Sequence, residues 1–409
     1  MPNSTSRWAF SAAPHRMMMF AGATQMVVAL LFWGAELVGR YTALWHAPPT
    51  VIPATYAHLF LMVYGLFPFF FLGFLMTTYP RWMDGATIPR RRYVRSFALL
   101  ASGMLMVYVG LFASRALLAA GVGVYLAGWL TGIYALLRVY QATRAPDKFY
   151  ETLINTALAA GALGMLAYLL WVISGNGAYL TFARYAGLWW FLVPVLLSVA
   201  HRMIPFFSNS VLKPYTVYQP RGALLLMLGC CVLHGVLAMA GQARWLWFVD
   251  LPLLRVAAYH TWRWGLIRSF QVRLLALLHV AFAWASVAFA LYTIQSLTLF
   301  LSGRSILGLA PLHALGIGFL TSMIVAMVSR VTLGHSGRAL AADSFTWACF
   351  WGVGITALLR IAAEIPAVSQ IGGVSLNVFA AAAWLACLGP WVARYAPMYL
   401  RRRIDGKPG

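Results

Sequence analysis

The sequence predicts an all-α, polytopic membrane protein with about twelve transmembrane helices, forming one domain over residues 1–409. Three observations lead there. Hydrophobic residues make up 62% of the chain and charged residues only 9%, against about 25% charged in a soluble domain. Twelve apolar stretches approach the roughly 20 residues that a helix needs to cross hydrocarbon. The formal charge of +22 comes from basic residues in short loops between those stretches. That pattern is a topology signal, so no nucleic-acid partner is expected.

The first stretch, centred near Val28, follows a polar and basic segment (1–16). It is of spanning length and carries no small-residue cleavage motif, so it reads as a retained helix and not a removed signal. The second, near Phe67, follows the Pro-containing loop 40–54, begins at His58 and ends in Tyr-Pro-Arg-Trp (79–82). The third, fourth and fifth are centred near Met104, Trp129 and Leu163. The sixth, near Leu192, closes on His-Arg-Met-Ile-Pro (201–205), and the Pro-containing connector 205–220 follows. Only a Gln-Ala-Arg turn (242–244) separates the seventh and eighth, near Leu228 and Leu251, and Asp250 interrupts the eighth. The ninth lies near Ala285. The tenth, near Ile324, occupies Pro311 to Arg338, with a histidine just inside one end and a histidine and two arginines at the other. The eleventh, near Gly354, ends at an i,i+4 pair of Arg360 and Glu364. The twelfth is centred near Leu385.

The basic residues fix an orientation. With the N-terminus inside, all but six of the 30 Lys and Arg fall on the inner side; Arg40, Arg115, Arg184, Arg244, Arg304 and Arg360 are the exceptions. The bias alternates through every loop, which a missed or extra helix would break. Both termini are therefore expected in the cytoplasm, in a bacterial inner membrane. Helices 2, 6 and 10 each end in an arginine near their inner exit (Arg81, Arg202, Arg330), four helices apart. This permits an internal repeat of three four-helix arcs.

Cys230, Cys231, Cys349 and Cys387 lie in apolar spans and form no Cys-x-x-Cys, so inert thiols are expected. Topology sorts the nine histidines by depth. His58 and His313 begin helices 2 and 10 near the outer face, with His46 in the loop before. His234 lies between the middle of helix 7 and the outside. His201, His260, His279 and His335 lie toward the cytoplasm, with His15 below them. About 33 Å of helix separates His313 from His335 at 1.5 Å per residue, so the two cannot share one metal.

Two imidazoles on different helices can clamp a haem iron from both sides. The outer pair, His58 and His313, is the candidate. No Cys-x-x-Cys-His is present, so the haem would be non-covalent haem b (heme b). Gly65, seven residues after His58, and Gly316, three after His313, would leave room for a macrocycle. Met62, four after His58, is a soft neighbour or ligand. The inner histidines His201, His279, His335 and His260 are candidate ligands of copper or a second haem. The bland reading of each is a loop residue or an interhelical hydrogen bond. Acids are sparse. Asp250 is the one expected deep in a helix, paired with Arg255 or a backbone group, so a carboxylate relay is not expected.

Two stretches resemble the NnrS family of twelve-helix bacterial membrane proteins. One runs from Tyr56 to Gly65 and on through residues 73–82; the other joins residues 312–318 to 329–338, Ser-Arg-Val-Thr-Leu-Gly-His-Ser-Gly-Arg. Residues 201–205 and 277–284 agree more weakly. The resemblance implies a haem- and copper-containing protein linked to nitric oxide and nitrosative stress in denitrifying and related bacteria. It matches His58, His201, His279, His313 and His335. Many members carry a His-x-His-Glu-Met run at the start of helix 2; here His58 and Met62 remain, with Phe60 and Leu61 between them. Helix count and outer histidines also resemble the core subunit of haem–copper oxidases, a likeness of fold only. The reading favoured is a membrane oxidoreductase or binding protein acting on nitric oxide, with an electron donor that the sequence does not identify. The alternative is a transporter of haem, copper or a small metabolite.

Overall fold

The computed structural model describes residues 9–406 and is 80% helical. Arg7 and Lys407, counted above among the inner basic residues, lie outside the described residues. Among the described residues, eleven helices are long and apolar enough to cross a membrane: α1 Pro14–Tyr41, α2 Ala54–Trp82, α3 Arg90–Ala113, α4 Arg115–Ala142, α5 Phe149–Ser174, α6 Gly177–Val211, α7 Arg221–Met239, α9 Arg273–Ser302, α10 Ala310–His335, α11 Ser344–Ala362 and α12 Leu376–Leu400. The remaining expected span is α8, Trp247–Arg263, of 17 residues, or about 25 Å at 1.5 Å per residue. It matches α7 in depth. At the turn end, His234 of α7 meets Asp250 of α8 at 2.6 Å. At the other end, Trp264 Nε1 donates to the Tyr218 carbonyl at 2.9 Å. Asp250 therefore pairs with His234 and not with Arg255: in a tight hairpin the two residues stand equally far from the turn. A second acid is also buried. Glu151 at the start of α5 is 1% exposed and holds Arg202 at 3.0 Å, so Asp250 is not alone.

The first and last helices close a ring. Trp384 Nε1 of α12 donates to the Met26 carbonyl of α1 at 3.0 Å, and Arg16 Nη1 donates to the Tyr399 carbonyl at 3.2 Å. The described ends of the chain thus share one face, called the terminal face below; the other is the distal face. Inside the ring stand α2, α6 and α10. Their most apolar stretches are 83%, 83% and 78% buried, against 39% for α3 and 33% for α7. Phe70, Phe71 and Leu75 of α2, Val195 and Val199 of α6, and Ile324 and Met327 of α10 line a cavity of about 20 Å³ between them. Its lining is wholly apolar, so it offers water no partners.

The three central helices share a departure from α geometry. Each contains a π turn in its distal half: Leu61–Leu66, Ala186–Leu192 and Ala314–Thr321. The causes are local. Pro68 and Pro194 lack the N–H that the carbonyls of Tyr64 and Trp190 would accept from. In α10 the Thr321 hydroxyl donates to the Gly316 carbonyl at 2.9 Å, five residues back, which holds the wider turn open. The equivalent placement supports the three-arc arrangement expected from Arg81, Arg202 and Arg330. At the periphery, α3 and α4 touch backbone to backbone: a Cβ on Gly103 would stand 2.5 Å from Tyr125 N, and one on Gly110 2.5 Å from Leu118 N. Small residues permit such approaches between membrane helices, where dispersion drives packing. A two-strand ribbon, β1 Gln370–Ile371 and β2 Val374–Ser375, turns the chain into α12.

Candidate functional site

Near the distal face, α2 and α10 each carry a half-buried histidine close before a π turn: His58 three residues ahead of Leu61, and His313 directly ahead of Ala314. His58 and His313 lie within electrostatic range of each other. Trp33 of α1 stacks on His58, with ring centroids 4.1 Å apart and planes 12° from parallel, and the buried Nδ1 of His58 has no hydrogen-bond partner. His313 Nδ1 lies 2.9 Å from the Leu309 carbonyl. A carbonyl only accepts, so Nδ1 is the protonated nitrogen and Nε2 keeps its lone pair. Met62 follows one turn after His58 and is half-buried. The space at Gly316 is open within 4 Å of where a Cβ would stand. The space beside Gly65 is not open: Met104 Cε and Gln25 Nε2 stand 3.0 and 3.1 Å from its Cβ position. The π turn between His58 and Gly65 also shifts the phase on which the seven-residue spacing relied.

Two arginines reach this level. Arg360 lies within electrostatic range of both histidines and Arg40 within range of His58. Arg40 sits 5.1 Å from the Trp33 ring centroid and pairs with Glu36 at 2.7 Å; Arg360 pairs with Glu364 at 2.7 Å.

The histidines of the terminal half form three separate groups. His201 of α6 and His260 of α8 face each other, with centroids 5.7 Å apart. His201 Nδ1 lies 2.8 Å from Tyr150 Oη, and His260 Nδ1 donates to the Val256 carbonyl at 2.8 Å. Both Nε2 atoms are buried and unpartnered, and that of His260 carries the lone pair. His279 of α9 bonds Ser208 Oγ through Nε2 at 2.9 Å. His335 at the end of α10 lies 4.4 Å from His15 of α1, centroid to centroid, with Thr77 Oγ1 3.4 Å from His15 Nδ1. His15 is thus inside α1, level with His335, and not in a segment below it. Among the described residues no group of three or more His, Cys, Asp and Glu side chains could hold a metal.

A cleft of about 620 Å³ opens beside Tyr150, lined by Trp82, Asp147, Arg202, Gln219 and Arg221 among others. Arg202 lies over the Trp82 ring at 4.3 Å and the Tyr150 ring at 5.2 Å, and Arg330 over Phe207 at 3.9 Å. Each arginine thus rests on an aromatic ring of the preceding central helix, a second trace of the repeat.

The family model described as NnrS protein matches residues 9–403, nearly all of the chain. The chain belongs to the NnrS family. It is therefore a multi-pass membrane protein of the nitric-oxide response. No curated protein matches it. In this NnrS-family chain, Tyr150, Arg40 and Arg360 are not among the site residues expected from the sequence. Arg40 and Arg360 carried a signal, as two of the few basic residues on the sparse side. Tyr150 carried none, because its role depends on how α5 packs against α6.

Proposed function

We propose that the chain is a haem-containing inner-membrane protein that binds nitric oxide or converts it in a redox reaction, protecting against nitrosative stress. The observation that carries this reading is the distal pair. Two imidazoles from the central helices lie within electrostatic range of each other, the Leu309 hydrogen bond leaves the Nε2 lone pair of His313 free, and the space at Gly316, three residues on, is open. His58 and His313 would hold haem b, with Met62 as a soft neighbour. Arg40 and Arg360 supply positive charge for two propionates. When bound, the haem supplies an iron that takes a small diatomic ligand. The chain's own part is to orient the imidazoles, cover one with Trp33 and surround both with apolar helices. Nitric oxide is small and apolar, so it reaches such a site from lipid without a polar channel.

His201 and His260 would hold the second metal, copper or another haem. Neutral imidazoles suit copper, and two protein ligands leave coordination positions open to a small molecule. The transport alternative rests on broken helices at a midplane site. Here α2, α6 and α10 run continuously through their π turns, which favours the redox reading. The termini are assigned to the cytoplasm on the basic-residue bias. Reporters fused at both ends should report the cytoplasm, and a periplasmic reading at either end overturns that assignment.

The reading is tested by an absorption spectrum and metal analysis of the purified protein, before and after reduction and addition of nitric oxide. The expected result is a Soret band that shifts with nitric oxide, with iron in at least stoichiometric amount. A protein that folds and inserts in haem-replete cells but carries no iron overturns it.

A further inference from the structure

The distal half holds a polar cluster that neither histidine pair uses. His234 of α7 and Asp250 of α8 are 2% and 0% exposed. His234 Nδ1 and Asp250 Oδ1 stand 2.6 Å apart, the separation of a charge-assisted hydrogen bond. Asp250 Oδ2 is buried without a partner. Trp189 lies over the imidazole, with centroids 3.5 Å apart and planes 23° from parallel, and Tyr292 of α9 presents its edge at 5.2 Å. Trp189 belongs to the π turn of α6. Each of the three π turns therefore adjoins a histidine: His58 at the first, His313 at the third, and His234 against the second. π turns concentrate at functional sites, and an ionisable pair within a membrane protein is costly unless it serves a purpose.

We propose that His234 and Asp250 form a proton-exchange site. The two oxygens of Asp250 have different surroundings. Oδ1 is held by His234 Nδ1; Oδ2 has its lone pairs directed at no protein donor. A proton arriving on water bonds to a lone pair of Oδ2, and the water leaves neutral; release returns the proton to water. The imidazole shares the charge through the Oδ1 to Nδ1 hydrogen bond. The other titratable groups facing Asp250 are Cys230 and Cys231 of α7 and Tyr292 of α9, with Tyr185 beside Tyr292. None carries a permanent charge, so the dyad is the titrating unit. The inference stands apart from the haem reading, since it uses none of the same residues. It also gives the chain one proton-carrying carboxylate where its scarcity of acids argued against a relay.

The test is infrared difference spectroscopy of the full-length protein in lipid vesicles, between alkaline and acid buffer. Acidification should bring up a carboxylic-acid C=O band that moves to lower frequency in D2O. The band should be lost in Asp250→Asn, return at a shifted frequency in Asp250→Glu, and survive in Glu151→Gln, which removes the other buried acid. His234→Gln should displace both its frequency and its midpoint. Asp250→Glu and His234→Gln keep the test decisive should Asp250→Asn fail to insert. A purely structural brace gives no Asp250-dependent band, or a band indifferent to His234→Gln, and either result overturns the proposal.

Discussion

Replacing Tyr150 with Phe isolates one hydrogen bond at the second proposed metal site. Tyr150 is 9% exposed, and its hydroxyl stands 2.8 Å from His201 Nδ1. The ring remains, so the Arg202 contact at 5.2 Å survives. What is lost is the partner of a buried imidazole nitrogen. An orphaned buried polar group costs about 1–3 kcal/mol. The hydroxyl also selects the tautomer: when it accepts from Nδ1–H, Nε2 keeps the lone pair that a metal needs. Removing such an outer partner lowers metal affinity by about 10–100-fold, or about 1.4–2.8 kcal/mol at 1.4 kcal/mol per decade, within the range from the hydrogen bond alone. The assay is copper titration of detergent-purified protein against a chromophoric chelator, with haem content as an internal control. Tyr150→Phe should weaken copper binding by that factor and leave the Soret band unchanged, since His58 and His313 lie near the other face. His260→Ala should lose the copper altogether. Wild-type affinity in Tyr150→Phe would refute the orienting role, and wild-type affinity in both variants would refute the site.

Two further outcomes test the frame around the sites. Gly103→Leu should separate α3 from α4, because even a Cβ would stand 2.5 Å from Tyr125 N. Overpacking of this kind costs about 1–3 kcal/mol, so the midpoint of thermal aggregation should fall clearly below that of Leu105→Ala, a change at an exposed position. Asp343→Ala should remove the N-cap of α11, where Oδ1 accepts from Thr346 N at 2.9 Å, at a cost of about 1 kcal/mol. Burial pushes the Asp343 carboxyl up, but the Thr346 hydrogen bonds and Arg394 outweigh it and hold it below the usual range. A carboxyl lowered on folding stabilises above its unfolded value, near about 4, and that stabilisation is lost as pH falls through the folded value. The variant and the parent should therefore converge in stability in acid. A difference that persists there counts against the cap.

Much of this architecture was legible in the sequence. Apolar length marked the eleven helices able to cross a membrane, with the shorter α8 as the twelfth expected span. The arginines at 81, 202 and 330 marked the three helices that stand at the centre. Depth sorting put His58 and His313 at one level and His201 and His260 at another. Other features depended on packing across the fold. His15 reads as a tail residue until α1 is seen to begin at Pro14 and lie against the end of α10. The π turns have local causes in Pro68, Pro194 and Thr321, but these residues also occur in ordinary helices. His234 and Asp250 were legible in principle, being equidistant from the turn at Gln242. The sparse acids drew the reading toward the nearer Arg255 instead. Pair selection within each level rested on tertiary contacts such as Tyr150 against His201, which no spacing encodes.

The measurement that bears most directly on the central claim is the haem spectrum of His58→Ala and His313→Ala, each purified beside Arg81→Ala. Arg81 lies toward the terminal face, near His15 and His335, and should leave the band as in the parent. Either histidine variant should lose the Soret band or shift it strongly while the protein remains inserted. An unchanged haem spectrum in both histidine variants would contradict the account and move the haem to the terminal-face histidines.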